Sequence, residues 1–324
     1  MSSPPPVSIC LTTYNRASVL PGTVDSLLAQ SFSDFELIIN DDCSSDETEA
    51  ICRDYQSNDS RVKYFKNAEN LKMPGNLNAA IQRATGDYIA NVHDGDVYVP
   101  ALIEKWKEAL DAVPSAGFVF NDYEMVDHDG SRSLARQSYG GPCVSGKEIA
   151  IHFFRTFTSC VWGTVMARGS AYRRSGLFDA RFGFISDVDM WLRLAKDHDV
   201  AYVNEPLIAI TPREPNHPYS FVHWRHDFWT FGIYNKHLSL YASSLPEEVR
   251  RFRRTYPRRR LQFLAYQLLL CLRHRRWDRV TEGLAICRDA DGPLLRMLGR
   301  TFGRATNAPE WYSPDYWDMA RLRA

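Results

Sequence analysis

An α/β protein built on a mostly parallel sheet is the architecture this sequence predicts, and two features predict it. Short apolar segments alternate with helical patterns through the first third of the chain, as in consecutive βαβ units. Polar and acidic clusters recur directly after the apolar segments, at the strand ends where open α/β sheets collect ligands. In order, VSICLTT (7–13) predicts a buried strand and Val19 to Ala29 an amphipathic helix. FELIIND (35–41) is a second strand, and Asp46 to Tyr55 a helix with acids in its first turn. VKYFKN (62–67) is a third strand, and Asn76 to Thr85 a helix stopped by Gly86. DYIANVHD (87–94) is a fourth, and Pro100 suits the first turn of a helix running through Ala109.

The middle of the chain is less regular. Residues 116–126 predict a strand followed by a turn at Asp127 to Gly130, and 159–168 another strand. FDARFG reads as a loop, SDVDMWLRLAKD (186–197) as a helix, and 200–210 as a closing strand. From about residue 222 the composition shifts toward Arg, Leu and aromatic residues, which predicts consecutive helices, including Pro257 to Arg273 and Asp278 to Arg288. Two domains follow, 1–221 and a helical extension at 222–324. The formal charge of zero argues against a polyanionic partner for the whole chain, but from Arg250 to Arg279 eleven Arg face one acid, Asp278. Seven scattered cysteines without a C-x-x-C pair fit reduced thiols in the cytoplasm. No secretory signal is expected from MSSPPPVSICLTTYNR, and the near-apolar run 261–272 is too short to span a bilayer.

The clusters at the strand ends carry the functional signal. Thr12, Thr13, Tyr14, Asn15 and Arg16 follow the first strand, Asp41, Asp42, Ser44 and Asp46 the second, and His93, Asp94 and Asp96 the fourth. Asp94-Gly95-Asp96 suits a turn, and equally a hard divalent cation, which takes oxygen ligands. Asp41 and Asp42 read as a solvated turn or as a binding pair. The loop TTYNRASV holds no glycine, so neither the dinucleotide fingerprint nor a P-loop is present. A nucleotide here would be held by side chains and a metal.

The stretch VSICLTTYNRASVLPGTVDSLLAQSFSDFELIINDDCSSDET resembles the opening of the family 2 glycosyltransferases, which have the GT-A fold. NLKMPGNLNAAIQRATGDYIANVHDGD continues the pattern, and SDVDMWLRLA resumes it. The resemblance implies a nucleoside-diphosphate sugar as donor, with UDP as the expected nucleotide, and a glycan or lipid-linked acceptor.

 It implies Mn²⁺ or Mg²⁺ as the cofactor. Thr12, Tyr14 and Arg16 would contact uridine and diphosphate, Asp41 or Asp42 would accept a hydrogen bond from the base, and Asn76 and Asn78 would line the same pocket. Asp94-Gly95-Asp96 resembles the family's D-x-D motif, in which carboxylates hold the cation against the diphosphate. Aligned on Pro100, the usual third-position carboxylate is Gly95, so Asp96 is the first ligand and Asp94 the second, with His93 as a contributor.

Inverting transfer needs a general base for the acceptor hydroxyl. The family draws it from an acidic motif at a helix start, which implies Asp187, with Ser186 where glutamate is common and Asp189 as the alternative. Both acids also suit an ordinary helix N-terminus. His217 lies where relatives carry a loop closing over the diphosphate, and either completes the metal shell or is a surface histidine. Trp162 and Trp191 suit a sugar platform or the core, and for Trp191 the core is expected. The arginine-rich segment is a solvated helical face or a peripheral contact with anionic lipid at the inner face of a membrane; it carries no nucleic-acid motif. The expected function is sugar transfer in surface polysaccharide assembly. The rivals are a non-catalytic nucleotide-sugar or glycan binder and a sugar nucleotidyltransferase, whose glycine-rich basic loop is absent.

Overall fold

The computed structural model describes residues 5–127, 129–135, 139, 141–156, 159–161, 163–211 and 224–273, together with 275, 277 and 280. The chain divides into two compact units, Met1–Pro212 and Arg213–Ala324. The boundary expected at 221/222 falls outside the described residues, as do Trp162, His217 and the helix expected at 278–288.

The first unit opens with β1 (Val7–Thr13), α1 (Leu20–Leu28), β2 (Phe35–Asp41), α2 (Thr48–Asn58), β3 (Val62–Lys66), α3 (Lys72–Arg83) and β4 (Tyr88–His93). Then come β5 (Val97–Tyr98), α4 (Leu102–Ala112), β6 (Ala116–Val126), β7 (Arg132–Ala135), β8 (Cys143–Val144) and α5 (Gly146–Thr156). β9 (Val165–Arg168), α6 (Gly169–Ser175), a 3₁₀ turn (Ala180–Ile185), α7 (Ser186–Asp197) and β10 (Asp199–Ile210) complete it. The second unit contains α8 (Trp224–Leu240) and α9 (Pro246–Arg273).

The strands form one sheet in the order β3-β2-β1-β4-β9-β6-β10-β5, with β7 on β6 and β8 on β10. β1 and β2 are buried along their whole length, because helices cover both faces and parallel neighbours flank them, which is why their sequences run apolar without alternation. The strands β3, β2, β1 and β4 are parallel, so their carboxyl ends share one edge. β9 enters antiparallel between β4 and β6. With Asn91 opposite Val165, the residues just before β9 meet the end of β4. The sheet thereby brings Gly163 and Thr164 beside His93, although seventy residues of other structure intervene in sequence by rough count.

The core lies between the sheet and its helices. Trp106 is buried with its indole N–H donating to Asn121 Oδ1 at 2.9 Å, and Trp191 stacks on Phe118 at 5.2 Å. Trp191 is therefore core, as expected, and no sugar platform.

Several boundaries differ from the sequence expectation. α3 spans Lys72–Arg83, but Lys72 is left-handed (φ 57°) and Met73 extended (ψ 136°), so its regular turns start near the expected Asn76; Asp42 accepts from the amides of Leu71 and Lys72 at 2.8 Å in the turn before them. The strand expected from Ser159 is regular only from Val165. FDARFG is part of a 3₁₀ turn, and α5 was not expected at all. α9 begins at Pro246, where a proline and the first-turn acids Glu247 and Glu248 set an N-terminus well before Pro257.

α7 is anchored by an ion pair with consequences for stability. Asp189 is fully buried, and its Oδ2 lies 2.8 Å from Arg193 Nε. The same guanidinium donates to the carbonyls of Ser175, Gly176 and Leu177, fastening the loop after α6. Arg193→Ala takes the guanidinium from a buried carboxylate, so the free energy of unfolding in urea should fall by about 3 kcal/mol.

Candidate functional site

The site is assembled on the carboxyl edge of β1, β2 and β4. After β1, the left-handed Asn15 (φ 51°) lets its amide donate to Ser44 Oγ at 2.8 Å, while its Oδ1 accepts from the Ser45 amide at 2.8 Å. The Ala17 amide donates to Asp46 Oδ2 at 3.1 Å. These bonds lace the loops after β1 and β2 together. Thr12 is buried, and Tyr14 projects outward with 46% of its surface exposed.

Asp41 and Asp42 are not a solvated turn. Asp41 is sealed, with Oδ1 accepting from the Ser44 amide and Oδ2 from the Tyr64 hydroxyl, both at 2.8 Å. Asp42 accepts from Asn67 Nδ2 at 2.9 Å besides the amides of Leu71 and Lys72. Asn76 is equally enclosed, its Oδ1 accepting from Asn40 at 2.6 Å and Asn67 at 2.9 Å. Asn78 clamps the backbone of Phe178 in both directions, at 2.8 and 2.9 Å. In this structure the four side chains hold the walls of the site to one another.

The Asp94-Gly95-Asp96 turn is held from below by Thr23, whose hydroxyl accepts from the Gly95 amide and donates to the Asp96 carbonyl, each at 2.9 Å. Tyr98 brackets His93 in the same way, accepting from its amide at 2.9 Å and donating to its carbonyl at 3.0 Å. Gly95 has φ +90°, and a Cβ there would stand 2.7 Å from Arg16 Nη2. Arg16 Nε lies 3.7 Å from Asp94 Oδ1, so a guanidinium crosses the place where the family pattern has a carboxylate.

Asp187 and His93 meet across Gly163. A Cβ on Gly163 would stand 2.7 Å from His93 Cε1, too close for the imidazole to stay, and 3.6 Å from Asp187 Oδ2, an ordinary contact, so the missing side chain is what admits His93. His93 Nδ1 lies 4.0 Å from Asp96 Oδ2 and 3.4 Å from Thr164 Oγ1. Withdrawal from water pushes the Asp187 carboxyl up to about 6, against one hydrogen bond from the Val188 amide at 2.8 Å. Asp189, the alternative base, is occupied by Arg193 and points into the core.

Among the described residues no three His, Cys, Asp or Glu side chains form a group able to hold a metal alone. Asp94 and Asp96 nevertheless suit a hard cation shared with a substrate diphosphate, since such ions often take only one or two protein carboxylates. Sequence reasoning missed Thr23, Gly163 and Thr164. No local signal marks them, because a threonine on an apolar helix face and a glycine before a strand are ordinary.

The sequence model for glycosyl transferase family 2 matches residues 8–181, more than half of the chain. The chain belongs to this family. EpsE of Bacillus subtilis, which carries a provisional glycosyltransferase name, is 31% identical over 206 residues, covering 61% of this chain and 69% of that one. A Campylobacter jejuni protein named GalNAc(5)-diNAcBac-PP-undecaprenol beta-1,3-glucosyltransferase is 36% identical over 93 residues, 28% of this chain and 30% of that one. The crystal structure of S. aureus TarS 1–349 in complex with UDP-GlcNAc aligns with a TM-score of 0.58 at 17% identity, over 72% of this chain and 66% of that one. That likeness shows the GT-A fold for this family 2 chain.

Gly163→Ala tests the convergence. The added methyl must displace His93 or the adjoining loop, so a folded variant should lose sugar transfer about a hundredfold, measured beside its circular dichroism.

Proposed function

We propose that the protein transfers a sugar from a UDP-linked donor to a glycan or lipid-linked acceptor with inversion, in surface polysaccharide assembly on the cytoplasmic side of a membrane. The observation that carries this reading is that Asp187 and His93, the residue leading into the Asp94–Asp96 turn, both lie beside Gly163. One carboxylate with a raised pKa, and a pair of carboxylates of which Asp94 lies beside a guanidinium, suit the two tasks of an inverting transfer, taking a proton and steadying a diphosphate.

In this reading Asp187 accepts the proton of the acceptor hydroxyl as its oxygen attacks the anomeric carbon. A carboxylate titrating near 6 is a stronger base than an ordinary aspartate yet remains mostly ionised at pH 7. Arg16 and Tyr14 stand where the diphosphate and uridine would lie, and Thr12 supports that loop. Asp96 and Asp94 would hold Mn²⁺ or Mg²⁺, which when bound neutralises charge on the departing diphosphate. Asp41, Asp42, Asn76 and Asn78 shape the pocket that receives the base. The relative that acts on an undecaprenol-linked glycan supports a lipid-linked acceptor. Gly95 favours a second reading, a non-catalytic nucleotide-sugar binder, which donor hydrolysis with added Mn²⁺ would separate.

Two expectations follow from these roles. Asp187→Asn should fold normally and bind donor, with transfer falling about a hundredfold or more. Because burial favours the neutral carboxyl, ionisation of Asp187 opposes folding as pH rises through about 6, so the Asn variant should be at least as stable as the parent at pH 7. Parent activity should fall as pH drops through about 6, where the base is protonated. Transfer by the variant at the parent rate would remove Asp187 from the mechanism. Asp96→Ala should abolish the extra thermal stabilisation that Mn²⁺ gives in the presence of UDP; an unchanged thermal shift would move the cation elsewhere.

A further inference from the structure

The second unit carries a surface that the transfer site does not use. On α9, Val249, Phe252 and Tyr256 are buried and follow helical spacing, so they define one face. Phe252 packs on Tyr234 of α8 at 5.2 Å and stacks on Tyr256 at 4.8 Å. Arg250, Arg251, Arg254 and Arg258 are exposed, and a rotation of about 100° per residue sets them on the opposite face. Leu269, three turns beyond Arg258 on that same face, is 65% exposed. Just past the helix end, Trp277 is 63% exposed near exposed Arg273 and Arg275. The acids Glu247 and Glu248 occupy the first turn, where they complement the helix dipole, and no acid follows up to Arg273.

We propose that the arginine face of α9 docks on an anionic bilayer, with Leu269 and Trp277 entering the interfacial layer. The charge is complementary to acidic head groups, to which each nearby arginine adds attraction. The exposed leucine favours lipid over nucleic acid: it has no stacking face, and gains by leaving water at the head-group boundary. Tryptophan prefers the same depth. Among the described residues no helix is long and apolar enough to cross a membrane, so the contact is peripheral. The proposal deepens the transfer reading by naming the surface that would bring it to a lipid-linked acceptor, but its test uses no sugar substrate, so either can fail alone.

The test is sedimentation of the full chain with vesicles of phosphatidylglycerol and phosphatidylcholine, beside pure phosphatidylcholine, at low and high salt. The parent should bind only the anionic vesicles, and salt should weaken binding. Replacing Arg250, Arg251, Arg254 and Arg258 together by Gln should lower vesicle affinity on the order of a hundredfold, with an unchanged circular dichroism spectrum. Arg254→Gln alone should lower it about fivefold, which keeps the test decisive if the combined variant misfolds. Leu269→Ser with Trp277→Ala should remove the part of binding that survives high salt. Equal binding to neutral vesicles, unchanged binding by the arginine variants, or tighter binding to a single-stranded RNA than to the vesicles would each overturn the proposal.

Discussion

The carboxylate of Asp42 is the constraint on which the loops at the carboxyl edge of β2 rest. It is buried at the end of the second strand and accepts three hydrogen bonds, from Asn67 and from the amides of Leu71 and Lys72 in the turn that leads into α3. A buried carboxylate is tolerated only when such donors replace water. Here all three come from residues 67–72, so satisfying the carboxylate also fixes the connection between β3 and α3 against the end of β2. Asn40, Asn67 and Asn76 extend the arrangement, and Asp41 ties Tyr64 and the Ser44 turn to it. A polar network of this kind is costly if one member fails, because every partner left behind is dry. The same property makes the loop edges rigid without regular secondary structure.

A second constraint is the insertion of β9 between β4 and β6. An all-parallel sheet would bring only loops that follow strands to this edge. The antiparallel strand brings in a loop that precedes one, and with it Gly163 and Thr164. α7 starts nearby, held by Asp189 and Arg193, so Asp187 is carried on a helix whose orientation is set by a buried ion pair. The division of labour between the two aspartates is physical. Asp189 meets a guanidinium at 2.8 Å, whereas Asp187 receives little compensation for lost water and is pushed up to about 6.

The regular elements of the first half were legible because periodicity and strand length are local properties, as β1, α1 and β2 illustrate. What escaped was set by partners distant in sequence. The turn leading into α3 is held by Asp42 from another loop, and the environment of His93 depends on a strand that follows it by about seventy residues. Asp41, Asp42, Asn76 and Asn78 were recognisable as residues of the site edge, but not as members of a closed hydrogen-bond system. Family resemblance supplies which residues face a site; it does not supply how their charges are satisfied.

Gly95 shows how these constraints act together. Its positive φ allows the tight turn between two aspartates, and its missing side chain admits the guanidinium of Arg16. A carboxylate at this position would need both the backbone and Arg16 to move. The departure from the family pattern is thus coupled: losing a carboxylate at 95 makes room for a cation from the loop after β1, and that cation faces Asp94. Relative to the family pattern, this turn has lost one carboxylate and gained one guanidinium.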